Sequence, residues 1–115
     1  MKATRITYDS DGDILYVTFG QPAASTGYQL SDQIVLRVEP KTQRATGLTI
    51  RNYSHHASAS REIPLPGIEE HSDVKSLLLS ILGSAPVSQF FSVTTGERGI
   101  SAMLLSPSLQ EAVVG

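Results

Sequence analysis

Three runs in the first half of the chain alternate apolar residues with others: Asp13-Ile14-Leu15-Tyr16-Val17-Thr18-Phe19, Ile34-Val35-Leu36-Arg37-Val38-Glu39 and Gly47-Leu48-Thr49-Ile50-Arg51-Asn52-Tyr53. Side chains of a strand point alternately to opposite faces, so Leu15, Val17 and Phe19 share a face, as do Ile34, Leu36 and Val38, and then Leu48 and Ile50. Set side by side, these eight form one apolar surface that needs a cover. A shorter run, Arg5-Ile6-Thr7-Tyr8, enters the first strand through Asp9-Ser10-Asp11-Gly12, a cluster of turn formers suited to a tight reversal. Glu39-Pro40-Lys41-Thr42-Gln43-Arg44 turns the second long run into the third. The stretch between Gly20 and Gln33 is long for a structureless loop, which predicts a short edge strand within residues 25–30 that reverses at Ser31-Asp32-Gln33. The expectation is an antiparallel meander of four to five strands over residues 4–53.

Beyond Tyr53 the pattern changes. Residues 54–71 read as a connector: first small and polar through His55 and His56, then Ile63-Pro64-Leu65-Pro66-Gly67, where two prolines predict an extended crossing segment. Ser72 offers a helix N-cap and Gly83 a stop, and between them Val74, Leu77, Leu78, Ile81 and Leu82 fall at helical spacing. A helix over 73–82 is the expected cover for the sheet, which would place Leu15, Val17, Leu36, Val38, Leu48, Ile50, Leu78 and Ile81 in one core. Residues 87–94 and 100–105 read as a second hairpin. Ser106-Pro107 opens an expected short closing helix through Leu109, Ala112 and Val113. The fold class is therefore α+β. One domain is expected over 1–115, divided into a sheet (1–53), a connector (54–71) and a helix with a terminal hairpin (72–115).

Composition narrows the function. A length of 115 residues suits a single core. The net charge of −2, with nine Lys and Arg scattered singly, gives no field that would draw in a phosphate backbone, so nucleic acid is not an expected partner. Cysteine is absent, which excludes disulfides, thiolate metal sites and a cysteine nucleophile. No apolar stretch is long enough to span a bilayer, and the start reads as a strand rather than a signal core; a cytoplasmic location without membrane attachment is expected. Charged residues make up only 17% of the chain, low for a monomer, which suggests that another subunit covers part of the surface.

Candidate chemical motifs each have a simpler reading. Asp9, Asp11 and Asp13 suggest a calcium loop, but its sixth and twelfth positions hold Ile14 and Gly20 instead of Gly and Glu, and the cluster reads as a turn. His55 and His56 are neighbours whose side chains diverge in an extended chain, with His71, Glu70 and Asp73 further on; no metal is expected. There is no Gly-x-Ser-x-Gly elbow, Gly96-Glu97-Arg98-Gly99 is not a phosphate loop, and Glu69 and Glu70 read as solvated. No catalytic residue and no cofactor are expected.

Ile6-Thr7-Tyr8-Asp9, Asp13-Ile14-Leu15-Tyr16-Val17, Ile34-Val35-Leu36 and Gly47-Leu48-Thr49-Ile50 resemble the bacterial family called domain of unknown function 2283, over roughly the first half of the chain. The resemblance implies an α+β fold and a bacterial origin. It carries over no catalytic residue. Some members are encoded beside small toxin-like proteins, so it also implies an antitoxin-like or other partner-binding role with a neighbouring-gene protein.

The reverse face of the sheet carries Tyr16, Arg37, Arg51 and Tyr53, residue types that contact partners, and these four form the expected partner-binding face. With Ile14, Tyr16 and Val35 on that face, the expected function is a non-enzymatic interaction module that self-associates as a homodimer. The alternative is a small hydrolase or ligand-binding enzyme. It would use a cleft between the sheet and the second half, with His55, His56 or His71 as base and Arg37 or Arg51 holding an anionic substrate. The histidines are expected on an exposed connector, away from any pocket.

Overall fold

The computed structural model describes residues 4–20, 24–55, 62–97 and 99–104, and the backbone of 112–114. Its first half is an antiparallel sheet of β1 (Thr4–Asp9), β2 (Ile14–Phe19), β3 (Thr26–Gln29), β4 (Ile34–Glu39) and β5 (Arg44–Arg51). The Asp9 carboxylate accepts hydrogen bonds from the backbone N–H groups of Asp11 (3.1 Å) and Gly12 (3.3 Å), the Asx turn that the acidic cluster predicts. The β4–β5 reversal closes through Gln43 N–H on the Glu39 carbonyl at 2.8 Å, with Gln43 at φ 57°. Ser31 Oγ accepts the Gln33 N–H and shapes the turn after β3.

Within their six-stranded sheet these five strands take the order β3-β4-β5-β2-β1. The β1–β2 hairpin and the β3–β4–β5 meander join where β5 lies against β2, with Leu48 opposite Val17 and Ile50 opposite Leu15. Leu36 faces Leu48 in the next ladder, so the predicted apolar residues stack across the sheet. All eight are buried, and Ile6 of β1 joins them. Between Arg37 and Val38 the register shifts past Thr46, a bulge that keeps Val38 on the core face opposite Ala45.

The cover has more parts than one helix. β6 (Glu62–Pro64) leads into α1 (Pro66–Glu70), a 3₁₀ turn (Ser72–Val74), α2 (Lys75–Leu82) and a second 3₁₀ turn (Val87–Gln89). Two strands follow, β7 (Phe91–Gly96) and β8 (Gly99–Leu104), and with β6 they form a second sheet in the order β6-β8-β7. Ile63, Leu65, Ile68, Leu78, Leu82, Val87, Phe90 and Ile100 are buried in the same cluster as the first sheet's apolar face. Ile81 packs against this core but is only partly buried.

Several expectations need correction. The connector 54–71 is not plainly extended: Pro66 opens a helix, because a first-turn residue needs no N–H partner and Pro already has helical φ. Glu69 and Glu70 therefore lie on α1, and Glu69 pairs with Lys75 at 3.0 Å. Ser72 does not cap the covering helix. His71 terminates α1 through its N–H, Val74 at φ −121° breaks the 3₁₀ turn from the α-helix, and α2 begins at Lys75. Residues 87–89 form a turn ahead of the hairpin rather than part of its first strand. The expected closing helix falls mostly on residues 105–111, outside the described residues, but Ala112–Val114 (β9) is a strand, parallel to β1 with Ala112 beside Ile6. Among the described residues no helix is long and apolar enough to cross a membrane.

Candidate functional site

On the outer face of the first sheet, Tyr16 stands between Thr7 of β1 and Thr49 of β5, and Thr49 lies opposite Val35 of β4. Arg37 Nη1 donates to Thr49 Oγ1 at 3.1 Å, which lays the guanidinium beside the tyrosine's cross-strand neighbour. Arg51 is one row along, opposite Ile14. Tyr16, Arg37 and Arg51 are thus brought together and exposed, with Tyr16 at 41%. Tyr53 is not among them. β5 ends at Arg51, Asn52 takes a positive φ of 53°, and the alternation is lost; Tyr53 turns inward, 4% exposed, with its ring edge-on to Tyr8 at 6.1 Å. Its burial raises the pKa of its hydroxyl.

The turn at Asp13 explains where the chain goes next. Asp13 has φ 54°, a left-handed conformation that Asp tolerates, and its carboxylate reaches across the fold. Oδ1 accepts the Tyr8 hydroxyl at 2.6 Å and the Ser54 N–H at 3.0 Å; Oδ2 accepts the Ser54 hydroxyl at 2.8 Å. The Asp13 carbonyl also accepts the Tyr53 N–H at 3.0 Å. Desolvation raises the Asp13 pKa, but hydrogen bonds from Tyr8, Ser54 and the His55 backbone together outweigh it and lower it. The same bond to Asp13 is the main reason the Tyr8 pKa is raised. This clasp caps the start of the helical residues 53–55 and so places His55.

The sign of the pH effect follows. A carboxylate with a depressed folded pKa contributes stability above its unfolded pKa, and loses it as pH falls through the folded value. Asp13→Asn, which keeps the left-handed backbone accessible but removes the charge from the acceptor, is expected to destabilise by about 1 kcal/mol at neutral pH, the net worth of one hydrogen bond. The gap between variant and wild type narrows toward about pH 3. Urea midpoints at the two pH values check this, and a gap that does not change with pH would count against the clasp.

His55 borders a cleft of about 820 Å³ between the first sheet and the second half. One wall is β3 and its turn (Gly27, Gln29, Asp32, Gln33); the other is β6 and α1 (Glu62, Pro64, Glu70), with His71 where α1 ends. The seat of α1 is set at Gly67, whose N–H donates to the Leu30 carbonyl at 2.9 Å. A Cβ at Gly67 would overlap the Gln29 carbonyl oxygen, so only glycine allows this approach. His71 packs its ring edge-on to Tyr28 at 5.2 Å.

The expectation that the histidines stand apart from any pocket is therefore corrected: His55 is exposed, yet it lines the cleft with His71 and three carboxylates. The cause is the Asp13 clasp, which holds the chain in at Ser54. His56 lies outside the described residues. Arg37 and Arg51, the proposed anion holders of the hydrolase alternative, are on the sheet's outer face and not among the described residues lining the cleft. Among the described residues no group of three or more His, Asp and Glu is placed to hold a metal ion. Asp32 and Glu62 were not legible as site residues, since nothing in the sequence brings positions 32, 62 and 70 together. Comparison with models of known protein families, with curated proteins and with solved structures finds no match for this chain.

Proposed function

We propose that the protein is a non-enzymatic interaction module that associates with itself through the outer face of its first sheet. The observation that carries this reading is Tyr16, a large ring 41% exposed at the middle of that face. Ile14 and Val35 are half-buried on the same face, with Arg37 and Arg51 around them. Tyrosine and arginine are the residue types that dominate binding energy when a second surface desolvates them. Arg37 and Glu39 alternate along β4, so a twofold axis between two copies can set each arginine against a glutamate. The low charge content of the chain fits a surface that is partly covered. The resemblance of the first half to the domain 2283 family extends the proposal to a bacterial, cytoplasmic protein with an antitoxin-like role toward a protein encoded by a neighbouring gene.

Sedimentation equilibrium tests the self-association. Wild-type protein is expected to show the mass of a dimer, and Tyr16→Ala to weaken the association about tenfold or more, equivalent to about 1.4 kcal/mol. The unfolding midpoint of the variant at low concentration is expected to stay near wild type, because Tyr16 is outside the core. A monomer at all accessible concentrations overturns the proposal.

A further inference from the structure

We propose that an extended peptide segment of a partner protein, carrying basic side chains, adds as a strand to the free edge of β3, within the cleft that β3 shares with β6 and α1. β3 is the last strand of the first sheet and β6 the last of the second, so the cleft lies between two strand edges. The ladders decide which backbone groups face it. Residues of an antiparallel strand turn their N–H and C=O alternately toward and away from a given neighbour. Leu30 N–H donates to the Ile34 carbonyl at 2.9 Å, so Tyr28 and Thr26 bond to β4 in step with it, while Gln29 and Gly27 turn outward. The next ladder agrees. Arg51 N–H donates to the Gln33 carbonyl at 2.8 Å, which gives Val35 and Arg37 to β5 and leaves Leu36 and Val38 for β3. On β6, Leu65 N–H donates to the Ile100 carbonyl at 2.8 Å, so Ile63 bonds to β8, and Glu62 and Pro64 turn outward. Gly27, Gln29, Glu62 and Pro64 all line the cleft.

Among the described residues no hydrogen bond reaches the outward N–H and C=O groups of Gly27 and Gln29. Such a row is a template for strand addition, in which main-chain hydrogen bonds supply the affinity. Gly27 has no side chain to shield the row, and Thr26-Gly27-Tyr28-Gln29 holds no lysine or proline of the kind that blunts an edge. β6 is blunted, since Pro64 stands where an outward N–H would be, but its carbonyl and that of Glu62 remain acceptors for the far side of an added strand. A strand is about 4.8 Å by 10 Å in cross-section and rises about 3.3 Å per residue, so a partner for the 4 residues of β3 needs roughly 630 Å³. The cleft holds about 820 Å³. α1 closes one end of it through Gly67 N–H on the Leu30 carbonyl, so the edge is presented on a fixed wall before a peptide arrives. Charge sets the kind of peptide. Asp32, Glu62 and Glu70 line the cleft and, among the described residues, no lysine or arginine does, so basic side chains complement its rim.

Amide hydrogen exchange and calorimetric titration of the full chain test this with acetyl-Lys-Val-Thr-Val-Lys-amide as the probe. In the free protein the amides of Gly27 and Gln29 are expected to exchange fast and that of Tyr28 slowly; the peptide is expected to bind saturably and to slow the first two. The same peptide N-methylated at its three central residues keeps its side chains but loses main-chain donors, and is expected to bind at least about tenfold more weakly. Gly27→Pro is expected to weaken binding as much. It removes an N–H that the β3–β4 ladder does not use, so its unfolding midpoint is expected near wild type. Should that variant be destabilised, the N-methylated peptide, which leaves the protein unaltered, still decides. The acidic counterpart acetyl-Glu-Val-Thr-Val-Glu-amide is expected to bind at least about tenfold more weakly. No binding at about 10 mM, unchanged exchange at Gly27 and Gln29, equal binding of the N-methylated peptide, or preference for the acidic one overturns the proposal. So does a dimer that persists in Tyr16→Ala and is lost in Gly27→Pro, which would give the edge to a second copy of the chain. Self-association through Tyr16 is read out separately by sedimentation and does not depend on peptide binding.

Discussion

Leu36→Ala is expected to lower the unfolding free energy by about 2–5 kcal/mol. Leu36 is fully buried, with Tyr28 beside it on β3 and Leu48 beside it on β5, so its side chain is enclosed by neighbours on both sides of its strand. Truncation removes the transfer free energy of the lost methyl groups and leaves a cavity, because flanking strands held by their ladders relax only in part. Against a typical domain stability of about 5–15 kcal/mol, this is a large fraction. Urea unfolding followed by circular dichroism measures it. An unchanged midpoint would sink the assignment of Leu15, Leu36, Leu48 and their row to the core face.

Gly67→Ala is expected to cost at least about 3 kcal/mol, the upper end of what overpacking does. Glycine in a helix is ordinarily a weakness, and alanine gains about 0.5–1 kcal/mol there. Here that gain is overwhelmed. The added methyl would overlap the Gln29 carbonyl oxygen and lie 2.8 Å from the Leu30 Cα; both are backbone atoms that no rotamer change can move. α1 would have to lift from the end of β3, breaking the hydrogen bond from Gly67 N–H to the Leu30 carbonyl and opening the cleft. Differential scanning calorimetry checks the stability loss. A variant as stable as wild type would show that α1 does not sit where it is placed.

The strands were legible because two signals agree in each: a period of two, and turn formers at both ends. Val17 and Leu48 could be assigned to one face from alternation alone, since a one-residue slip would expose the whole row. That β2 and β5 are neighbours was not legible, because pairing between strands 25 or more residues apart leaves no local mark. Tyr53 leaves its expected face for a backbone reason: the left-handed Asn52 resets the alternation one residue earlier than the pattern suggests. Pro66 opens a helix where the proline pair predicts an extended segment, a distinction that depends on which residue begins the first turn. For the candidate sites, three residues of the outer face could be read from strand parity. The cleft could not: Asp32, Glu62 and Glu70 line one cleft only once α1 docks on β3, and the Asp13–Ser54 clasp spans 41 positions.

The order β6-β8-β7 bears on the chain's modularity. β6 precedes both helices and β8 follows them, yet the two are hydrogen-bonded neighbours, with Ile63 opposite Ala102. The second sheet therefore brackets α1 and α2 like a clip whose jaws come from either side of what it holds. Any cut between residues 64 and 99 separates β6 from the strand that pairs with it, so neither the helices nor the β7–β8 hairpin can be excised as a cassette while that sheet is kept whole. Recombination within this half would exchange all of it or disrupt it, whereas the Lys41–Thr42 and Ser10–Asp11 turns interrupt no ladder and are the places where an insertion leaves every strand its neighbour.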